Sequence, residues 1–224
     1  MRPIFHLILA ASLLPLAAPA RAQDMAIVML SHIEVMPASK NQGAALLREL
    51  AAASRKETGV VRFEVLQRSA PSSHFLLVET WKDQAALDAH GAAAHTKAFR
   101  DKIKPMLMAP IDDRPCIVIN AATPSANTRG AIFVVAHVDV PPNQREKILD
   151  PLKVLSETSR KEAGNERYDV IQQQARANHF FTIEAWKDQK AADAHELAAH
   201  TKQFRATLVP LTGALYDQRW YKAL

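Results

Sequence analysis

Cysteine is almost absent. Cys116 is the single one in 224 residues, so no internal disulfide can hold the fold. Glycine is scarce, at six residues, and no Gly-rich phosphate cradle, dinucleotide fingerprint or G-x-S-x-G elbow occurs. An enzyme built on this chain must therefore work with side chains and substrate alone. Long blocks of one charge are missing too. The basic residues alternate with acids, as in Ser54-Arg55-Lys56-Glu57, so the formal charge of +5 gives little support to a nucleic-acid partner. What is abundant is apolar residues, at 48%, which excludes a disordered chain, and histidine, at nine residues, which titrates near neutral pH.

The start of the chain reads as an address. Arg2 is followed by an apolar stretch from Ile4 to Leu16, and Ala20-Arg21-Ala22 fits a small-x-small cleavage pattern. Residues 1–22 are expected to be a signal peptide cleaved before Gln23, sending the protein to the periplasm or outside the cell. The run is shorter than the about 20 residues a membrane span needs, and no second span follows. Cleavage removes Arg2 and Arg21 and no acid, so the charge falls to +3.

The rest is written twice, at an offset of 105 residues. Ser54-Arg55-Lys56-Glu57 returns as Ser159-Arg160-Lys161-Glu162, Gly59 as Gly164, and Arg62 as Arg167. His74, Glu79, Trp81-Lys82-Asp83-Gln84, His90 and His95-Thr96-Lys97 return as His179, Glu184, Trp186-Lys187-Asp188-Gln189, His195 and His200-Thr201-Lys202. His32 matches His137. Two domains of about 100 residues are expected, over 25–119 and 130–224, with 120–129 as a linker that lacks apolar periodicity.

Each copy has the same order of signals. A β-rich apolar run stops at proline and a helical stripe ends before a glycine. Two strands follow around a polar turn. Asp83 or Asp188 then caps an alanine-rich helix running to Pro105 or Pro210, and a short strand closes the unit near Cys116–Ile119 or Gln218–Tyr221. Pro151 inside the second copy's first helix predicts a kink or a late start. The fold class is α+β: two tandem ferredoxin-like β-α-β-β-α-β units. One face of each sheet lacks helices, so the copies should face each other across a pseudo-two-fold axis and enclose a barrel-like interior.

Strand alternation puts Glu79 beside Phe75, Leu77 and Trp81, and Glu184 beside Phe180, Thr182 and Trp186. Such a carboxylate is either a base whose pKa burial raises, or an acid paired with Arg62 or Arg167 or with a helix end. His90 and His95 stand five apart, about 140° around a continuous helix, and should not share a face. His195-Glu196 with His200 misses the four-residue histidine spacing of a zinc-protease helix, so no metal site is expected. His32 and His137 either face the interior with Trp81 and Trp186 or lie at a sheet edge. Cys116 is matched by Tyr221 and reads as a small apolar filler.

Gly59, Glu79-Thr80-Trp81, Asp88-Ala89-His90 and His95, with Gly164, Glu184-Ala185-Trp186, Asp193-Ala194-His195 and His200, resemble the antibiotic biosynthesis monooxygenase family. The resemblance spans both repeats and implies the dimeric α+β barrel. It also implies a cofactor-free monooxygenase taking a small phenolic, quinol or polyketide-like aromatic and molecular oxygen. The implied catalytic set is His90, His195, Glu79 and Glu184, with a histidine deprotonating the phenol. The implied substrate-binding set is His32, His137, Trp81, Trp186, His95, His200, Arg62 and Arg167. Arg62-Phe63-Glu64-Val65-Leu66-Gln67 is also similar to a relative that isomerises a phosphorylated sugar, which leaves proton abstraction next to a carbonyl as an alternative. Haem-degrading relatives are less similar, since Ser31-His32 and Ala136-His137 replace their first-strand asparagine. A non-catalytic ligand-binding domain and further pairing of chains stay open.

Overall fold

The computed structural model describes residues 26–121, 128, 130–214 and 216–224. The expected signal peptide, and the expected linker from 122 to 127 and at 129, lie outside the described residues. The first copy runs β1 (Ile27–Glu34), α1 (Lys40–Ser54), β2 (Val60–Arg68), β3 (His74–Trp81), α2 (Gln84–Ala92), α3 (Ala94–Ile103) and β4 (Asp112–Asn120). The second repeats it as β5 (Ile132–Asp139), α4 (Arg145–Ser159), β6 (Asn165–Gln173), β7 (His179–Trp186), α5 (Gln189–Leu197), α6 (Ala199–Leu208) and β8 (Asp217–Ala223).

The eight strands close into one barrel, in the order β1-β3-β2-β8-β5-β7-β6-β4. Every pairing is antiparallel, and the last strand of each copy pairs with the other copy. β4 lies on β6, with Cys116 opposite Gln173, and β8 lies on β2, with Leu66 opposite Ala223. Closure thus removes the exposed sheet edges each copy would have alone. Moving four places round the barrel carries β1 onto β5, so the pseudo-two-fold axis runs along the barrel axis.

Alternation sorts the side chains onto two surfaces. Val28, Leu30, Leu76, Val78, Phe133, Val135, Phe181, Ile183 and Tyr221 point inward and pack the interior, with Cys116 as a small filler among them. Phe75, Leu77 and Trp81 point outward under α1–α3, and Phe180 and Trp186 under α4–α6. Trp81 and Trp186 are fully buried; each such large apolar side chain contributes about 1.5–3 kcal/mol of transfer free energy. The interior is a packed core except toward one end, where a cavity opens.

Three local details position the site. Asp83 and Asp188 accept from the amides of Ala86 and Ala191 at 2.8 Å, capping α2 and α5. Gly59 and Gly164 have φ of +94° and +85°, and a Cβ there would come within 2.7 and 2.8 Å of the alanine at the helix start. The alanine-rich helix is not continuous to the proline as its composition suggests. It breaks at Ala93 and Ala198, which are extended (ψ 143° and 146°), and resumes one residue later. Helix α4 shows no late start: it begins at Arg145, the counterpart of Lys40, and carries Pro151 inside.

Candidate active site

The break at Ala93 changes what the histidines can do. On one unbroken helix His90 and His95 would diverge; with an extended residue between α2 and α3 both turn to the same carboxylate. Glu57, in the turn after α1, places Oε1 2.6 Å from His90 Nδ1 and 2.9 Å from His95 Nε2. On the other side, His90 Nε2 lies 3.6 Å from Glu79 Oε2, which accepts from Trp81 Nε1 at 3.0 Å. The Trp81 indole stacks on the His90 ring at 4.7 Å, and Thr96 Oγ1 lies 3.3 Å from Nδ1. The result is one chain of polar groups, His95–Glu57–His90–Glu79–Trp81. It runs from a partly exposed imidazole to a buried carboxylate.

Because a carboxylate only accepts, Glu57 requires the proton on His90 Nδ1, and the Nε2 lone pair faces Glu79. Burial pushes Glu79 up to about 7, with the Trp81 hydrogen bond opposing it. Burial also lowers His90, opposed by its hydrogen bond to Glu57. Burial thus shifts the two groups in opposite directions, raising the carboxyl and lowering the imidazole, a pattern that acid–base sites share. The expected alternative, Glu79 paired with Arg62, does not occur, since Arg62 points to the other face of the sheet.

A gap of about 10 Å³ adjoins Glu79 and His90, walled by Leu77, Phe99, Arg100, Ile111 and Asp113. Outside it, Arg100 and Ile111 also border a surface recess of about 470 Å³ that includes Lys104, Leu107, Met108 and Pro110. Ile111 and Arg100 therefore stand between an open recess and the buried acid–base pair. Arg100 is held by Asp113 at 2.9 Å, which also accepts from Ser31 Oγ at 2.5 Å.

The second copy reproduces the chain of groups. Glu162 Oε1 lies 2.6 Å from His195 Nδ1 and 2.9 Å from His200 Nε2, and His195 Nε2 lies 3.6 Å from Glu184. Trp186 donates to Glu184 at 3.0 Å and stacks on His195 at 4.7 Å. Burial raises Glu184 as well. The surroundings differ. Tyr216 stands where the first copy has Ile111, edge-on to Phe204 at 6.5 Å and under Arg205 at 5.6 Å.

The other expected site residues lie elsewhere. His32 and His137 face the barrel interior, on the opposite surface from Trp81 and Trp186, so they do not share a pocket with the tryptophans. Arg62 and Arg167 sit at the far end of the barrel. Arg167 bonds Glu64 and Asp169 at 2.5 Å each, and Arg62 approaches Asp169 at 4.0 Å, so these charges pair with one another there. Glu57 and Glu162 were not foreseen as site residues. Their signal was present, as the acid ending each copy of Ser-Arg-Lys-Glu, two residues before the glycine. Tyr216 and Ile111 carry no comparable signal.

Glu57, His90 and His95, and their counterparts Glu162, His195 and His200, are the groups among the described residues whose donor atoms cluster within 4.8 Å, as a metal would need. The spacing argument against such a cluster fails because the helix breaks. Yet one carboxylate oxygen serves both imidazoles at hydrogen-bond distance. An ion ligated at about 2.0–2.1 Å would hold its ligand atoms farther apart than 2.6 Å. The donor set fits a hydrogen-bonded relay.

Comparison with known proteins agrees with this architecture. The family described as antibiotic biosynthesis monooxygenase matches residues 26–102 and again 131–207. YcnE of Bacillus subtilis, named as a candidate monooxygenase, is 31% identical over 86 residues, 38% of this chain and 90% of its own length. One such relative therefore corresponds to one repeat. A candidate monooxygenase structure from Fusobacterium nucleatum superposes with a TM-score of 0.81 at 17% identity, covering 89% of this chain and 93% of that one. An anthrone oxidase-like protein gives 0.68 at 15% identity, covering 90% and 92%. At those identities the structures share the fold.

Proposed function

The chain belongs to the antibiotic biosynthesis monooxygenase family, and from that premise we propose a cofactor-independent monooxygenase acting on a small phenolic, quinol or polyketide-like aromatic. The supporting observation is His90, held between Glu57 and Glu79 behind the Ile111–Arg100 barrier in the first copy. A substrate lodges in the outer recess and displaces Ile111 to reach the inner gap. His90 Nε2 takes the phenol proton, and Glu57 stabilises the imidazolium. His95, partly exposed, connects that pair to solvent.

The phenolate is electron-rich and supplies the electrons to dioxygen. One oxygen atom enters the substrate as a carbonyl at a ring carbon ortho or para to the phenolate, giving a quinone, and the other leaves as water with the hydrogen of that carbon and the phenolic hydrogen. Atoms balance without flavin, nicotinamide or metal. Trp81, Phe63 and Phe99 keep the site dry. We also infer export, with residues 1–22 removed before Gln23; N-terminal sequencing of chain recovered from the periplasm or medium tests that.

The test is an oxygen electrode with hydroquinones and naphthols, no cofactor being added. Oxygen uptake matched to substrate loss supports the reading. Turnover at an undiminished rate without oxygen overturns it, and solvent deuterium entering the substrate without oxygen uptake marks an isomerase instead.

A further inference from the structure

The barrel has two polar ends, and they are built differently. At the closed end Glu64 of the first copy bonds Arg167 of the second, so charges pair across the axis. At the other end Arg114 and Arg219 each pair with an aspartate two residues back on the same strand. Arg114 Nε lies 2.9 Å from Asp112 Oδ2, and Arg219 Nε lies 2.8 Å from Asp217 Oδ2. The cross-axis space is a cavity of about 470 Å³, within the usual range for small-ligand sites.

Its lining is not that of a leftover gap. Arg114, Arg176 and Arg219 line it with Asp112 and Asp217, and Asp139 stands behind the wall, 3.5 Å from His179. Three imidazoles join them. Burial lowers His32 to about 4 and holds His137 and His179 below their ordinary value, so all three are neutral at pH 7. His32 Nε2 is buried with no hydrogen-bond partner, a polar atom the protein itself leaves unsatisfied. His137 Nε2 lies 3.0 Å from His179 Nδ1. The walls are flat: His137 stacks on Phe181 at 4.8 Å and 19°, and Arg114 lies over the same ring at 5.7 Å. Val135 and Tyr221 complete the apolar side.

We propose that this barrel mouth is a second binding site, separate from the helix–sheet cluster, for a small planar carboxylate such as an aromatic acid. The carboxylate takes the arginine forks on the sides their aspartates leave free, and the ring lies against Phe181 and the imidazoles. A cation would meet three arginines against two aspartates on the cavity surface, and a purely apolar ligand would desolvate the arginine edges that those aspartates leave open.

Calorimetric titration of the purified chain with benzoate, benzyl alcohol and inorganic phosphate tests this. Benzoate is expected to bind at one site per chain, at least tenfold tighter than benzyl alcohol or phosphate. The double variant Arg114→Gln/Arg219→Gln should weaken it tenfold or more. Ala175→Trp, at the exposed rim, should block it without touching the charges, and keeps the test valid if the double variant misfolds. His90→Gln should leave benzoate binding unchanged. Phosphate binding as tightly as benzoate, benzyl alcohol binding as tightly, loss of binding in His90→Gln, or no benzoate binding at millimolar concentration would each overturn the proposal.

Discussion

The two copies hold the same groups at the same distances and enclose them differently. Glu57–His90 and Glu162–His195 are both 2.6 Å, and His90–Glu79 and His195–Glu184 are both 3.6 Å. Around them the first copy has Ser31, Leu77, Ile111 and Asp113, and the second has Ala136, Thr182, Tyr216 and Gln218. Thr182 adds a hydrogen bond to Glu184 at 3.2 Å, and Tyr216 packs where a gap remains in the first copy. Arg100 is held by Asp113; its counterpart Arg205 is held instead by Glu196 and Gln218. The geometry of the acid–base apparatus is the same in both copies, while the side chains beside it differ. The apparatus stabilises its own geometry, whereas the space beside it depends on a few side chains free to change.

The largest effect should come from breaking that apparatus on each side in turn. His90→Gln is expected to lower kcat on the order of 10²–10⁴-fold, the usual contribution of a positioned base. His195→Gln should change oxygen uptake by less than about twofold, because Thr182 and Tyr216 stand beside its site where the first copy has Leu77 and Ile111. Equal losses in the two variants would show that both copies turn over and would remove the asymmetry argued above.

Exchanging the gate residues sharpens the same contrast. Ile111→Tyr should cut kcat/KM on the order of 10²-fold by excluding the substrate from its reacting position. Tyr216→Ile should open the second copy and give measurable turnover in a His90→Gln background. That substitution empties a packed volume, at about 2–4 kcal/mol of stability by urea unfolding. A Tyr216→Ile protein of unchanged stability would mean that Tyr216 fills nothing.

The buried carboxylates can be weighed by pH. Glu79 keeps its proton in the folded state up to about 7, while the unfolded chain releases it near 4.5. Between those values the folded state binds more protons, so this group makes stability fall as pH rises through that window. The full difference is about 3 kcal/mol. Glu79→Gln keeps an acceptor for Trp81 and removes the ionisation. Its stability relative to the parent should rise from pH 4.5 to 7 and level off above. A constant difference across that range would show that Glu79 is ionised at an ordinary pKa in the fold.

Much of this was legible in the chain, for identifiable reasons. Period-two alternation in Phe75-Leu76-Leu77-Val78-Glu79 put Glu79 with Trp81, and the Asp83 cap and the Gly59 turn were where their chemistry required. The repeat with one uncovered sheet face per copy implied the barrel. Illegible were the features set by packing between distant elements. The break at Ala93 has no proline or glycine at it, so nothing local announced that His90 and His95 would converge on Glu57. Arg62 and Arg167 look like ligand-binding residues in isolation; only closure of the barrel brings Glu64 to Arg167 and Asp169 to Arg62. The sorting of His32 away from Trp81 depended on register parity, which a single-residue shift reverses.

The smallest test concerns the support behind the gate. Ser31 donates to Asp113, which in turn holds Arg100 at the border between recess and gap. The second copy already carries Ala136 and Gln218 at the matching positions, and its arginine turns to Glu196 instead. Ser31→Ala removes one hydrogen bond to a carboxylate that keeps a second partner, so the stability cost should be about 1 kcal/mol. The catalytic effect should appear in KM before kcat, because Arg100 borders the path of entry and acts on His90 and Glu79 only through its charge, a smaller influence than their burial. Adding Gly91→Glu, which restores the second copy's arrangement, should return the stability and not the KM. If that pair of changes left KM at its parent value, the gate would depend on Ile111 alone, and the divergence between the copies would reduce to one side chain.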